Sequence, residues 1–184
     1  MQHIYSAVDM RGIRNDYFET VVSTEPNMGD YLALELTPET FSNRRSRIKE
    51  TKPDIVYAQG KDLAFNRQVL ESPEIDVLSR PYPIDDTLAR LASRNDTAFE
   101  ICVAPLRSMR GYVRARHFQS LMKTIELALR RDVDIVITSG ASSPMDVFTP
   151  RELVAFGVVL GMEYPQAKAS VTAIPRAVLG VDSR

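Results

Sequence analysis

The feature that most constrains this 184-residue chain is an alternation of short apolar runs of strand length with stretches of helical spacing. The runs fall at residues 4–8, 31–36, 55–58, 75–78, 98–103 and 133–138. Between them the spacing predicts helices over residues 38–51, 62–71, 84–95 and 111–131, and one that opens at Pro150 and ends near Gly161. Two helix starts carry local signals. Thr37 followed by Pro38 reads as an N-cap with proline in the first turn, and Thr149-Pro150-Arg151-Glu152 adds the glutamate of a capping box. Strand alternating with helix means a parallel sheet covered by helices. Six such units, with no G-x-G-x-x-G after the first strand, favour an α/β barrel over a dinucleotide-binding open sheet. A full (β/α)8 barrel typically needs ~250 residues, so the expectation is a single domain over residues 1–184 forming a trimmed or distorted TIM-barrel-like fold.

Composition removes several function classes. No apolar stretch approaches the ~20 residues of a membrane span, and residues 1–14 lack a signal-peptide core, so a soluble cytoplasmic protein is expected. Cys102 is the only cysteine, which excludes a disulfide framework or a cysteine-based zinc site, and its neighbours Ile101 and Val103 place it in a buried strand. Histidines are two, His3 and His117, too few for the usual hydrolytic metal centre of an α/β barrel.

The net charge of −1 conceals a split. Residues 1–38 carry six acids against two bases, whereas residues 107–131 carry seven bases against Glu126 alone. In the long helix, Phe118, Leu121, Met122, Ile125 and Leu129 mark the face expected to be buried. Arg116, Lys123 and Arg130 fall opposite, either as a solvated stripe or as a row of phosphate contacts. Arg114 shares the side of Phe118 and Ile125 and is expected to need an acid, a carbonyl or a ligand. With Arg107 and Arg110 it follows the strand at 98–103, at the rim where barrels place their binding loops. A second rim element, Thr138-Ser139-Gly140-Ala141-Ser142-Ser143, is read either as a phosphate-cradling nest or as a tight turn. Asp85-Asp86 suits a helix start, and Asp132 and Asp134 flank a strand. Neither pair has a histidine or cysteine partner for catalysis. Arg44, Arg45, Arg47, Lys49 and Lys52 form a second basic cluster. Aromatic residues are scattered and tryptophan is absent, so any RNA contact should read backbone and shape rather than stack bases.

Several segments together resemble component 3 of archaeal and eukaryotic ribonuclease P. They are Ala104-Pro105-Leu106, Gly111-Tyr112-Val113-Arg114-Ala115, Ile137-Thr138-Ser139-Gly140-Ala141, Thr149-Pro150-Arg151-Glu152-Leu153 and the run from Gly161-Met162-Glu163-Tyr164-Pro165 to Ser170. A looser match in the same order runs through Ile55-Val56-Tyr57, Asn66-Arg67, Asp76-Val77-Leu78 and residues 84–91. The resemblance implies a barrel related to the polymerase-and-histidinol-phosphatase fold that has lost its metal site. It implies a non-catalytic subunit that assists a catalytic RNA in removing the 5′ leader of precursor tRNA. The partners would be that RNA, a small RRM-like component 2 in a pair or heterotetramer, and precursor tRNA indirectly. No cofactor would be bound by this chain, with magnesium used by the RNA. On matching positions it marks Arg107, Arg114, Lys123, Arg151 and Lys168 as RNA-binding cations, with Ser139 as a polar rim contact. Location adds Arg110, Arg116 and Arg176. Two departures stand out: the family often has an Asp-His pair at Asp85-Asp86, and a longer first unit before Tyr31. The residues alone also permit a metal-dependent phosphoesterase or phosphosugar enzyme using the Ser139–Ser143 loop, or a scaffold whose basic stripe meets an acidic protein.

Overall fold

A computed structural model describes residues 6–181. Seven strands pair in sequence order, every neighbour parallel: β1 (Val8–Asp9), β2 (Thr20–Ser23), β3 (Tyr31–Leu36), β4 (Ile55–Gln59), β5 (Val77–Ser79), β6 (Ala98–Cys102) and β7 (Ile135–Thr138). The helices are α1 (Arg44–Thr51), α2 (Leu63–Leu70), α3 (Asp86–Arg94), α4 (Pro105–Ser108), α5 (Gly111–Arg130), α6 (Pro150–Val159), α7 (Tyr164–Ala169) and α8 (Ala173–Val178). Strand alternation builds two cores. Leu34, Leu36, Val56, Ala58, Leu78, Phe99, Ile101, Ile135 and Ile137 face the helices. Ala33, Ile55, Tyr57, Val77, Ala98 and Val136 fill the interior, which Ile174, Val178 and Leu179 close from below.

One local device repeats at the bottom of the sheet. The aspartate just before a strand clasps the preceding strand twice, donating its N–H to a carbonyl and accepting that residue's own N–H on its carboxylate. Asp30 does this with Val21 (2.7 and 2.9 Å), Asp54 with Leu32 (2.8 and 2.8 Å) and Asp76 with Val56 (3.0 and 2.7 Å). These acids satisfy strand donors that would otherwise be left unpaired.

β1 and β7 do not pair directly; a wedge separates them. At the bottom, Ser170 and Val171 occupy the place of an eighth strand: Ile137 donates its N–H to the Ser170 carbonyl (3.1 Å) and Val8 to that of Val171 (2.9 Å). At the top, Gly140 N–H reaches Arg11 O (2.9 Å), and the buried Asp9 carboxyl accepts the N–H groups of Ser139 (3.1 Å) and Arg11 (3.2 Å) while meeting the Ser139 hydroxyl. Burial pushes the Asp9 carboxyl up from 3.8 to about 7, against the bonds from Ser139 and Arg11 and with the added repulsion of Glu100. A proton on Asp9 suits the seam, because the Ser139 hydroxyl, relieved of donating to Asp9, can donate to Arg11 O (3.3 Å).

The predicted strands at 31–36, 55–58, 98–103 and 133–138 and the helices at 62–71, 84–95, 111–131 and from 150 match observed elements to within a few residues. Asp62 and Asp85 cap α2 and α3, Thr149 and Glu152 form the capping box, and Gly161 follows α6 at φ +104°. Three differences from expectation follow. β2 has no counterpart among the predicted strands because only Val21 and Val22 carry its apolar signal. The strand expected at 75–78 starts at Val77, since Asp76 is engaged in its clasp. Helix α1 starts at Arg44 rather than Pro38, because the Thr40 side chain bonds back to Thr37 N–H (2.9 Å) and closes a turn first. Of the strand expected at 4–8, Ile4 and Tyr5 lie outside the described residues, and so does His3.

Asp76→Ala should lower stability by about 1–3 kcal/mol by orphaning the Val56 donor, while Asp76→Asn, which keeps an acceptor, should cost less than half of that in denaturant unfolding. Asp9→Asn should become progressively more stable than the parent as pH rises. The folded chain keeps the Asp9 proton to about pH 7 and the unfolded chain releases it near 3.8, so that stabilisation is complete below the lower value and lost as pH passes the upper. The gap should reach an order of 4 kcal/mol at most by pH 8; a stability difference that does not change between pH 4 and 8 would refute this reading.

Candidate nucleic-acid interface and barrel mouth

The interior changes from apolar to charged at the C-terminal ends of the strands. Glu100, an inward residue of β6, is fully buried. Arg11, from the end of β1, crosses to it with Nε 2.6 Å from Oε1 and reaches Glu35 of β3 with Nη1 at 2.9 Å. Its guanidinium also lies over the Tyr57 ring, 4.8 Å from the centroid, and Thr138 donates to the same Glu100 oxygen at 2.8 Å. Burial works against the Arg11 charge, but Glu100 and Glu35 outweigh it and hold the guanidinium more firmly protonated than usual. Tyr57 is pushed well above its ordinary range by burial, and its hydroxyl donates to Met10 O (2.6 Å). One guanidinium therefore sits between the carboxylates at the centre of the mouth. Among the described residues, no three His, Cys, Asp or Glu side chains gather into a metal-binding group.

Above this layer opens a cleft of about 580 Å³, walled by Arg11, Arg80, Tyr82, Cys102, Met109 and His117 with a few small residues between them. Cys102, expected in the apolar core, instead forms part of this wall, half-buried, its thiol pushed up to about 11 by burial. His117 is buried, its ring edge-on to Tyr82 at 5.1 Å. Burial, helped by the charge of Arg80, holds its imidazole below the ordinary range.

Helix α5 sets out the cations. Its buried stripe runs through His117, Leu121, Thr124, Ile125 and Ala128, with Phe118 and Leu129 half-buried. Met122, expected in that stripe, is 48% exposed and lines a groove with Leu160. Residues 111–116 are all exposed, so the helix overhangs the rim at its start. Arg114 lies in this overhang and makes no side-chain hydrogen bond or ion pair among the described residues; of the partners expected for it, neither an acid nor a carbonyl meets it, because that turn of the helix is exposed. Arg116 and Lys123 are likewise exposed along the helix, and Arg151 at the start of α6.

The remaining sequence-marked residues divide. Arg107 pairs with Asp146 (2.6 Å) and stacks on Phe148, while Arg110 donates to the Arg107 carbonyl (2.7 Å), so the two brace the turn that launches α5. Lys168 is exposed on α7. Arg176 bonds Glu19 (2.6 Å) and Ser6 O (3.3 Å) at the bottom, away from the rim. Ser139 is fully buried in the seam and offers no rim contact. Of the two readings of the loop around it, the turn is the one its bonds favour: Gly140 N–H is bound to Arg11 O, Ala141 N–H to Ser139 Oγ, and the Ser143 hydroxyl to Asp146. In the second basic cluster, Arg44 and Arg45 both pair with Glu74 (3.3 and 3.0 Å). Asp86 receives both Arg131 (2.7 Å twice) and Arg90 (3.1 Å), which gives the Asp85-Asp86 position a structural role.

Sequence reading passed over Arg11, Glu35, Arg80, Glu100 and His117. Glu100 had a signal: a carboxylate at an inward position of an otherwise apolar strand requires a cation. Arg11 and Arg80 each follow a strand end, where side chains enter the mouth.

The family model for RNase P subunit p30 matches residues 32–183. Ribonuclease P protein component 3 of Methanosarcina barkeri is 30% identical over 156 residues, covering 81% of this chain and 65% of that protein. The same component of Thermococcus kodakarensis is 34% identical over 148 residues, covering 75% and 67%. The chain thus spans about two thirds of the length of the curated relatives it matches. Among solved structures, a chain of an archaeal ribonuclease P with mature tRNA superposes at TM-score 0.79, with 23% identity over 94% of this chain and 90% of that one. An Agrobacterium tumefaciens protein superposes at 0.61 with 11% identity, covering 99% and 98%. The family match and these relatives, on the barrel described above, place the chain in the RNase P subunit p30 family.

Proposed function

We propose that the chain is a non-catalytic protein subunit of ribonuclease P, assisting a catalytic RNA in 5′-leader removal from precursor tRNA and acting with a small RRM-like component 2. The observation that carries this reading is the overhanging, unpaired basic start of α5, on a family member whose mouth carboxylates already flank an arginine. Arg114, Arg116 and Lys123 are exposed and lack acidic partners among the described residues, so their charge is available to phosphates. Arg107 and Arg110 act one step back, by fixing the turn that holds them out. The chemistry would belong to the RNA and its magnesium, and this surface would stabilise the RNA's active form.

Cleavage of precursor tRNA by the cognate RNA at limiting magnesium, with component 2 present, should rise strongly when this chain is added. No stimulation by folded protein, together with RNA-independent phosphoester turnover, would replace the subunit reading with an enzyme reading. Replacing Arg114, Arg116 and Lys123 together by alanine should cut RNA affinity at least tenfold without lowering thermal stability. It should also flatten the salt dependence, by roughly 0.7–0.9 log units per log unit of salt for each phosphate that is no longer neutralised. An unchanged slope would remove these residues from the interface.

A further inference from the structure

The cleft above Arg11 is not used by the reading just given, and it gathers polar groups that the fold leaves unsatisfied. Among the described residues, the buried side-chain atoms without a hydrogen-bond partner include Arg11 Nη2 and His117 Nε2, and both side chains line this cleft. A donor left unpaired in a polar wall costs about 1–3 kcal/mol, and such groups call for a ligand or an ordered water. Arg80 lines the same cleft, half-buried, with no carboxylate partner among the described residues. Its backbone is left-handed, φ +51°, though it is not a glycine. The conformation is fixed from both sides. The Arg80 carbonyl accepts Tyr82 N–H at 2.7 Å, and it rests so closely on Gly60 that a Cβ there would lie 2.4 Å from it. Strain of this kind persists where the surroundings over-determine it and is concentrated at sites of binding.

We infer that the mouth cleft is a phosphate-binding site, with Arg80 supplying the unpaired guanidinium and His117 and Arg11 the flanking hydrogen bonds. The charge balance supports that division. Glu35 and Glu100 together outweigh the charge of Arg11, so Arg11 offers a spare N–H and no surplus charge, whereas Arg80 has no carboxylate partner among the described residues and brings the mouth back to neutrality. The wall is apolar on the far side at Pro105 and Met109, and at about 580 Å³ the cleft has room for a mononucleotide as well as for a bare oxyanion. The phosphate group is the shared chemistry. Its source is either a small phosphomonoester or an RNA phosphate carried in from the adjacent α5 overhang. This inference stands without the subunit reading, because it concerns binding by the isolated chain.

The full chain, labelled at its two histidines His3 and His117, should be titrated with inorganic phosphate while the ring signals are followed by NMR. Saturable movement of the His117 signal, with a dissociation constant of about 1 mM or tighter, is the expected result. Arg80→Ala should weaken binding at least tenfold and Arg80→Lys by less, while Arg94→Ala, exposed in the last turn of α3 and away from the cleft, should leave it unchanged. Near-UV circular dichroism checks that each variant is folded. A nucleoside 5′-monophosphate binding more tightly than a short RNA with a 5′-hydroxyl would identify a terminal monoester as the ligand; equal binding would identify a backbone phosphate. A His117 signal that does not move under saturating phosphate, or a folded Arg80→Ala that binds as well as the parent, would overturn the inference whatever the precursor-tRNA assay shows.

Discussion

Glu100 has no access to solvent, so the cost of keeping its charge inside the barrel must be met by an equally buried cation. Arg11 meets it, and because Arg11 comes from the far end of the sheet, the pair fixes more than local charge. A guanidinium bonded to β6 and β3 and stacked on β4 pulls the end of β1 across the interior. That draws Asp9 and the Arg11 carbonyl to the edge of β7, where Ser139 and Gly140 bond to them. The ion pair inside the barrel and the seam on its wall are thus one construction, and neither would hold its geometry without the other.

The seam also explains how seven strands serve where eight are usual. Its top is narrow enough for side chain and backbone to bridge directly. Its bottom is wider, and the Ser170-Val171 carbonyls enter like a fragment of strand to receive the two edge donors. Gly140, at φ +62°, permits the close approach at the top: a Cβ there would lie 2.4 Å from the Cys102 sulfur. The short β1–β2 and β2–β3 connections dispense with helices. Gly29 allows the second to lie directly on β2, since a Cβ there would be 2.7 Å from Val21 O.

Helices α2, α3, α5 and α6 and five of the strands were legible in the sequence because their signals are local: apolar periodicity, Asp or Thr caps, and glycine after the end. β2 was not, since a strand of four residues between polar loops carries two apolar residues and no period. Site residues were harder for a different reason. Arg107 and Arg114 look alike in sequence, both basic and both near a strand end. Only the distant Asp146 and Phe148 make one a brace, and only the absence of packing around the first turns of α5 leaves the other free. Ser139 reads as a loop hydroxyl until Asp9, 130 residues away, is seen to hold it. Whether a charge is available is set by long-range contacts that no window of sequence contains.

The same contacts resolve the contrast between a net charge of −1 and a nucleic-acid surface. Many of the acids have work elsewhere. Asp30, Asp54 and Asp76 clasp strand starts at the bottom, Glu35 and Glu100 share Arg11 between them, and Asp9 shares in the seam and is held near neutrality. Among the described residues, Arg80, Arg114, Arg116 and Arg151 are cations without acidic partners that stand at the mouth or on the helices that start beside it. The field that a phosphate meets depends on which charges lie within a Debye length, about 8 Å at physiological salt. Acids paired with backbone donors at the other end of the barrel contribute little to it, so the rim can be locally basic on a chain that is acidic overall.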